Sequence, residues 1–212
     1  VEMTFRKRMS RGWQLLGSVV LSEATGTAGM GAAAADTGFS LAAFNPNTLV
    51  NVADDARLDL DRPVVAKLMG TVRLPWGFTL SALFVHAAGA PWARSVTVVP
   101  PTDWVEAHDV AGPYAQVYLE RPGDRRFPSM ETLDLRFEKE VSLKGFGRLC
   151  LYADVLNALS ARYGILNEND GGYWYPDAEN GVAGVRILDP SYDDFVARTG
   201  ARVVKFGLSL RF

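Results

Sequence analysis

The sequence predicts an all-β fold, the wall of an antiparallel transmembrane β-barrel, and three observations carry that expectation. Apolar residues recur at every second position in seven stretches. The connections between those stretches are short and long in strict turn. The last stretch sets Val204, Phe206, Leu208, Leu210 and Phe212 against Lys205, Gly207, Ser209 and Arg211, with Arg202 just before them. Side chains alternate across a strand, so one face of this ribbon is wholly apolar and the other carries cations and small groups. Taken alone, the stretch also suits the half-buried closing strand of a soluble β domain.

In chain order, Val1, Met3 and Phe5 mark an opening strand, and Met9 to Gly12 reads as a tight turn. Trp13, Leu15, Gly17, Val19 and Leu21 then alternate with Gln14, Leu16, Ser18, Val20 and Ser22, which completes a hairpin. From about residue 23 to 61 the period dissolves into Gly, Ala, Asn and Asp, the composition of a long loop. Alternation returns at Val64, Ala66, Leu68, Gly70, Val72 and Leu74. Pro75-Trp76-Gly77 reverses the chain, and Phe78, Leu80, Ala82 and Phe84 resume the apolar row. A second long loop spans about 88 to 129 and is rich in proline. The third hairpin sets Leu133, Leu135, Phe137 and Val141 against Asp134, Arg136, Glu138 and Glu140, turns at Ser142 to Gly145, and returns through Leu149, Leu151, Ala153 and Val155. A third long loop, about 157 to 201, leads to the closing strand.

Brief turns on one side and extended loops on the other, joined by strands of about ten residues, are the pattern of short periplasmic turns and long extracellular loops in outer-membrane barrels. A sandwich of this size would show turn signals every 8 to 12 residues or so. Hydrocarbon offers no partner to a free amide, so every strand edge must be paired. Seven strands cannot close, because the first and seventh run in one direction and one-chain bacterial barrels have even strand numbers. The expectation is that residues 1–212 are the C-terminal segment of a larger barrel, with an odd number of strands upstream. The opening at Val1, without a charged and apolar leader, likewise reads as a chain starting in mid-structure.

Composition narrows the function classes. No apolar run approaches the roughly 18 residues of a spanning helix, so any membrane crossing falls to strands. A net charge of −2 gives no reason to expect nucleic acid as a partner. One cysteine, Cys150, leaves no thiolate cluster, and His86 and His108 are the only imidazoles. Neither histidine has a nucleophile motif beside it, so no enzyme activity, cofactor or metal is expected.

Four stretches carry a family likeness: Arg73 to Ala82 around Pro75-Trp76-Gly77, Leu133 to Glu140, Tyr152 to Leu159, and Val204 to Phe212. They resemble the C-terminal barrel region of TonB-dependent outer-membrane receptors, of the Oar-like kind with a carboxypeptidase-regulatory-like N-terminal domain. The resemblance implies a barrel of about 22 strands closed by a separate plug domain. It also implies import of a scarce ligand, such as a metal chelate, cobalamin, a glycan or a peptide, across the cell outer membrane of a Gram-negative-type bacterium. The partners implied are outer-membrane lipid, the remainder of the barrel with its plug, a TonB-type energy-coupling protein reached through the N-terminal part, and the barrel-assembly machinery. Phe206, Leu208, Leu210 and Phe212 would then form the assembly signal. A passive, porin-like channel and a soluble all-β binding or adhesion domain are the alternative readings.

The inward face would hold a network of Asp134, Arg136, Glu138, Glu140, Arg148 and Asp154, with Arg148 facing the acidic row. Lys139 interrupts the apolar face beside a short turn, where its amine can reach the headgroups. Aromatic residues in the long loops, Trp92, Trp104, Tyr173, Trp174 and Tyr175, are the candidate ligand contacts. Asn167 to Gly172 and the aspartates 54, 55, 59 and 61 have the chemistry of cation loops, but are expected to be a turn and a solvated run.

Overall fold

The computed structural model describes residues 1–25, 57–58, 60–99, 115–121, 123–143, 145, 147–167, 170–175 and 185–211. In chain order the strands are β1 (Glu2–Ser10), β2 (Trp13–Leu21), β3 (Val64–Leu74), β4 (Phe78–Ala87), β5 (Pro91–Trp92), β6 (Ser95–Val98), β7 (Ala115–Tyr118) and β8 (Arg125–Arg126). They continue with β9 (Met130–Leu143), β10 (Gly147–Leu156), β11 (Gly164–Asn167), β12 (Asp170–Tyr175), β13 (Val185–Leu188), β14 (Phe195–Arg198) and β15 (Val203–Arg211). The seven long strands form one antiparallel sheet in the order β1-β2-β3-β4-β9-β10-β15. Three short turns close its hairpins, and each uses left-handed backbone: Arg11 and Gly12, Trp76 and Gly77, and Gly145. Gly77 is held to its type, since a Cβ there would meet the Glu140 carbonyl oxygen at 2.7 Å.

Register carries the apolar rows from strand to strand. Leu208 stands opposite Leu151, and Leu151 opposite Lys139. One row further along, Phe206 meets Ala153, Ala153 meets Phe137, Phe137 meets Leu80 and Leu80 meets Val72, which meets Trp13. A slip of one residue anywhere would move a whole strand's apolar set to the other side. The one shift between long strands lies in the β1–β2 ladder between Lys7 and Ser10, beside the first turn, and elsewhere the register holds, so seven rows of alternating residues merge into one apolar face. That face is not covered: Phe206 is 81% exposed, Leu208 70% and Leu151 45%, while Leu133, Leu135 and Leu149 are partly exposed. Among the described residues the buried apolar side chains are Ala87, Pro91, Ala93 and Val96, and only Ala87 belongs to the large sheet.

The hairpins are staggered. Traced through the ladder onto β9, the first hairpin closes opposite Phe137, the second opposite Lys139 and the third at Leu143. The drift is about 1.5 residues per strand. With about 3.4 Å per residue and 4.8 Å between strands, a line through the three short turns meets strands tilted by about 45° from its normal. At the ends of the order, β1 and β15 each have one described neighbour and run in the same direction.

Two of the expected loops are not structureless. The connection after β4 contains β5 to β8, and the one after β10 contains β11 to β14. They are joined by a four-stranded sheet in the order β13-β12-β6-β7, in which β12 runs parallel to β6. The first connection lies mostly outside the described residues; its ends meet in a bridge between Thr25 and Arg57.

Candidate functional site

Residues opposite the apolar face form the polar wall, and the structure brings three of the six expected network residues, Arg136, Glu138 and Asp154, together there. The Arg136 guanidinium donates to Glu138 Oε1 at 2.7 Å, stands 3.6 Å from Asp154 Oδ1, and lies 4.2 Å from the centre of the Tyr152 ring. That ring in turn covers Gly207, where a Cβ would come within 2.3 Å of Tyr152 Cζ. Glycine on β15 is thus the seat of an aromatic residue from β10.

The expected arrangement differs in its centre. Arg148 pairs with Glu140 alone, at 3.2 Å, near a turn where both are largely exposed. Asp134 leaves the network: its Oδ1 accepts the Asn157 backbone N–H at 2.8 Å. Asn157 sits in left-handed backbone and donates its amide to the carbonyls of Ala161 and Gly200, tying the last connection's beginning to its end. The hub is therefore Arg136, because the β9–β10 register sets Arg148 opposite Ser142, beside the turn and away from Asp134 and Glu138.

The wall is not polar throughout. Leu16 stands opposite Met69, and Met69 opposite Leu83, so three adjacent strands place an apolar row on this face. Leu16 and Met69 are exposed.

The apolar face ends in different chemistry at its two rims. Beside the short turns, the Lys7 ammonium lies 3.7 Å from the centre of the Trp13 ring and Lys139 4.2 Å from that of Phe78. At the other end of the same face His86 Nδ1 meets Glu131 Oε1 at 3.3 Å. Lys139 and Glu131 are eight positions apart on β9, about 27 Å along the strand.

Beyond that second rim the connections are pinned by buried charge. Asp61, only 1% exposed, accepts from Arg126 Nη2 at 2.5 Å and from the Ala24 N–H at 2.8 Å. Arg126 also donates to the carbonyls of Asp61 and Gly89. Burial alone would raise the Asp61 pKa, but the guanidinium and the amide outweigh it and hold the carboxyl below its usual range. Glu120 repeats the device: burial raises its pKa, while the Arg94 N–H, the Arg94 guanidinium and Arg125 bring it down. Asp61 was expected in a solvated run, and it is instead the most deeply buried side chain described. Asp54, Asp55 and Asp59 lie outside the described residues.

The aromatic candidates separate into three situations. Trp92 packs into a cluster, 6.2 Å from Phe127, which lies 6.3 Å from Phe195. With Arg126, Pro128 and Asp193 these three line a cavity of about 130 Å³. Tyr173 and Tyr175 share one face of β12 with ring centres 6.5 Å apart, and alternation puts Trp174 on the other. All three are exposed, so the expected triad is a pair and a separate tryptophan. Trp104 and Phe212 lie outside the described residues. No group of three His, Cys, Asp or Glu side chains converges as a metal site among the described residues.

No family model matches this chain, and neither a curated protein nor a solved structure matches it.

Proposed function

We propose that the chain is the C-terminal wall segment of an outer-membrane β-barrel of the TonB-dependent receptor type, taking part in import of a scarce ligand. The observation that carries this reading is the single apolar face, continuous through seven strands with one register shift beside the first turn, and exposed. A face of that extent on a water-soluble domain would be an association hazard, whereas lipid is its natural solvent. The stagger supports it too, since strand tilts of about 35–45° belong to closed barrels. Taking out the tilt, the band between Lys139 and Glu131 is about 19 Å high, on the short side of the roughly 25 Å apolar band of such barrels. The free edges of β1 and β15 would be paired by further strands.

A plugged receptor is favoured over an open channel by the apolar row of Leu16, Met69 and Leu83. A water-filled lumen has a polar wall, while a packed domain offers apolar side chains a partner. The receptor type itself is taken from the resemblance of the strand motifs. Tyr173, Tyr175 and Trp174 would stand on the ligand side, and lumen contacts would run through Arg136, Glu138 and Asp154.

The test is uptake by cells expressing the natural full-length protein, with and without the energy-coupling protein. Loss of uptake without the coupler is expected; unchanged uptake means a passive channel. Recovery of the full-length protein in aqueous lysate without detergent would end the membrane reading. Deleting Phe212 is expected to lower the yield of heat-modifiable barrel through the assembly machinery, and an unchanged yield removes that role.

A further inference from the structure

Among the described residues, Lys7 and Lys139 are the ionisable groups of the apolar face beside the short turns, and their surroundings repeat. Each ammonium sits over an aromatic ring, Trp13 for Lys7 and Phe78 for Lys139. Each is bent towards backbone carbonyls at its turn: Lys7 donates to the oxygens of Ser10 and Trp13, and Lys139 to that of Trp76. Neither has a carboxylate within ion-pair distance among the described residues. Carbonyl dipoles and ring faces steady a cation without neutralising it. Two full positive charges are therefore left on the face otherwise given to apolar side chains.

Their levels also agree. Through the ladder Lys7 stands opposite Leu135, four residues from Lys139 and four strands away. The stagger over four strands is about six residues, so the ammoniums fall within about 5 Å of one level. Trp13 and Trp76, both exposed, flank that level. Tryptophan is enriched where hydrocarbon gives way to headgroups, and a lysine there has its stem in the apolar layer and its charge at the phosphates. At the opposite rim the same face carries His86 beside the Glu131 carboxylate, a partner that neither lysine has among the described residues.

We propose that Lys7 and Lys139 each seat the phosphate of an anionic phospholipid in the leaflet on the short-turn side, two separate contacts that fix the depth of this wall. The inference rests on reading the apolar face as lipid-facing. Full-length protein in nanodiscs of phosphatidylcholine mixed with phosphatidylglycerol is expected to retain phosphatidylglycerol preferentially in native mass spectrometry. The K7Q/K139Q protein loses that preference by about fivefold per lysine, the effect of one basic residue near an anionic surface. The K7R/K139R protein keeps it. Equal retention of the two lipids by the unsubstituted protein, or an unchanged preference in K7Q/K139Q, overturns the proposal. Quenching of Trp13 and Trp76 fluorescence by lipids brominated near the headgroup tests the underlying reading separately, with Trp13→Phe and Trp76→Phe assigning the signal. If quenching is present and the preference absent, the lysine seats fail and the lipid-facing wall stands. Absence of quenching by any brominated lipid removes both.

Discussion

The seven-strand sheet and the smaller sheets beyond its far rim obey the same backbone rules, yet they shelter opposite kinds of residue. In the large sheet the big apolar side chains are exposed or half-exposed, Phe206 and Leu208 above all, and Ala87 alone is buried. In the outer connections a carboxylate, Asp61, is the most buried side chain, and Thr97, Ala93 and Val96 lie with it among the buried few. A fold stabilised by its own core would show the reverse in its largest element. The comparison teaches that the sheet is joined by ladder hydrogen bonds and buries almost none of its own apolar face among the described residues. The connections instead bury a charged side chain among small apolar ones.

Breaking the sheet's half of that contrast should have the largest effect. Leu135 lies four residues from both Lys139 and Glu131 on β9, at the middle of the apolar band. On the proposed lipid-facing reading, Leu135→Arg in the full-length protein is expected to cost about 2 to 4 kcal/mol, the penalty for a charge at the bilayer midplane. Its neighbour on the other face gives the control: Arg136→Leu should cost no more than about 1 kcal/mol, since its partners are partly solvated. Urea unfolding in phospholipid vesicles measures both. Equal costs would mean that the two faces meet the same medium, and the contrast would be gone.

The clasp at Asp61 comes next. Asp61→Asn leaves the Arg126 guanidinium without its anion and weakens a charge-assisted hydrogen bond, a loss of about 1.5 to 3 kcal/mol. The loss should be local. Limited proteolysis should open the connections around residues 57–63 and 121–128, while the sheet stays heat-modifiable. Simultaneous collapse of the sheet would show that the two regions are one cooperative unit.

Acid should act on the same half, and the sign follows from the direction of the shifts. Asp61 and Glu120 are both held below their usual range in the folded state, against the pull of burial. Each therefore stabilises the fold fully above the unfolded carboxylate value, and that stabilisation is lost as pH falls through the depressed one. The connections should stay closed at mildly acidic pH and loosen only below about pH 4. Proteolytic sensitivity appearing near neutral pH would place control of the connections elsewhere.

How much of this was legible follows from where the information sits. Period-two alternation is local, so the seven long strands and the apolar face could be read from rows such as Val204, Phe206, Leu208 and Leu210. The short strands of the connections could not, because β12 finds its parallel partner in β6 about 75 residues earlier, and neither is long enough to show a period. Tyr173-Trp174-Tyr175 gave no local sign that a strand would send its middle ring the other way. Nor did the aspartates before β3 reveal which one Arg126 would bury. The positive φ of Asn157 had a faint signal, since asparagine tolerates left-handed backbone at the end of an element.

The smallest expected effect lies within the polar wall, and it depends on register. Composition alone makes Arg148 the natural partner of an acidic row, but register sets it opposite Ser142 and Arg211, beside the third turn. Only Glu140 is then within reach, and both side chains are largely solvated. Arg148→Gln should change stability by no more than about 0.5 kcal/mol, as exposed pairs do. Arg136→Gln should cost more, on the order of 1 kcal/mol, because it gives up a hydrogen bond to Glu138, the charge of Asp154 and the face of Tyr152 at once. A Glu138→Gln background distinguishes an interacting set from independent contacts: the cost of Arg136→Gln should shrink there and that of Arg148→Gln should not. If Arg148 proves the more costly of the two, the register of β9 against β10 is wrong, and with it the stagger from which the tilt of the wall is derived.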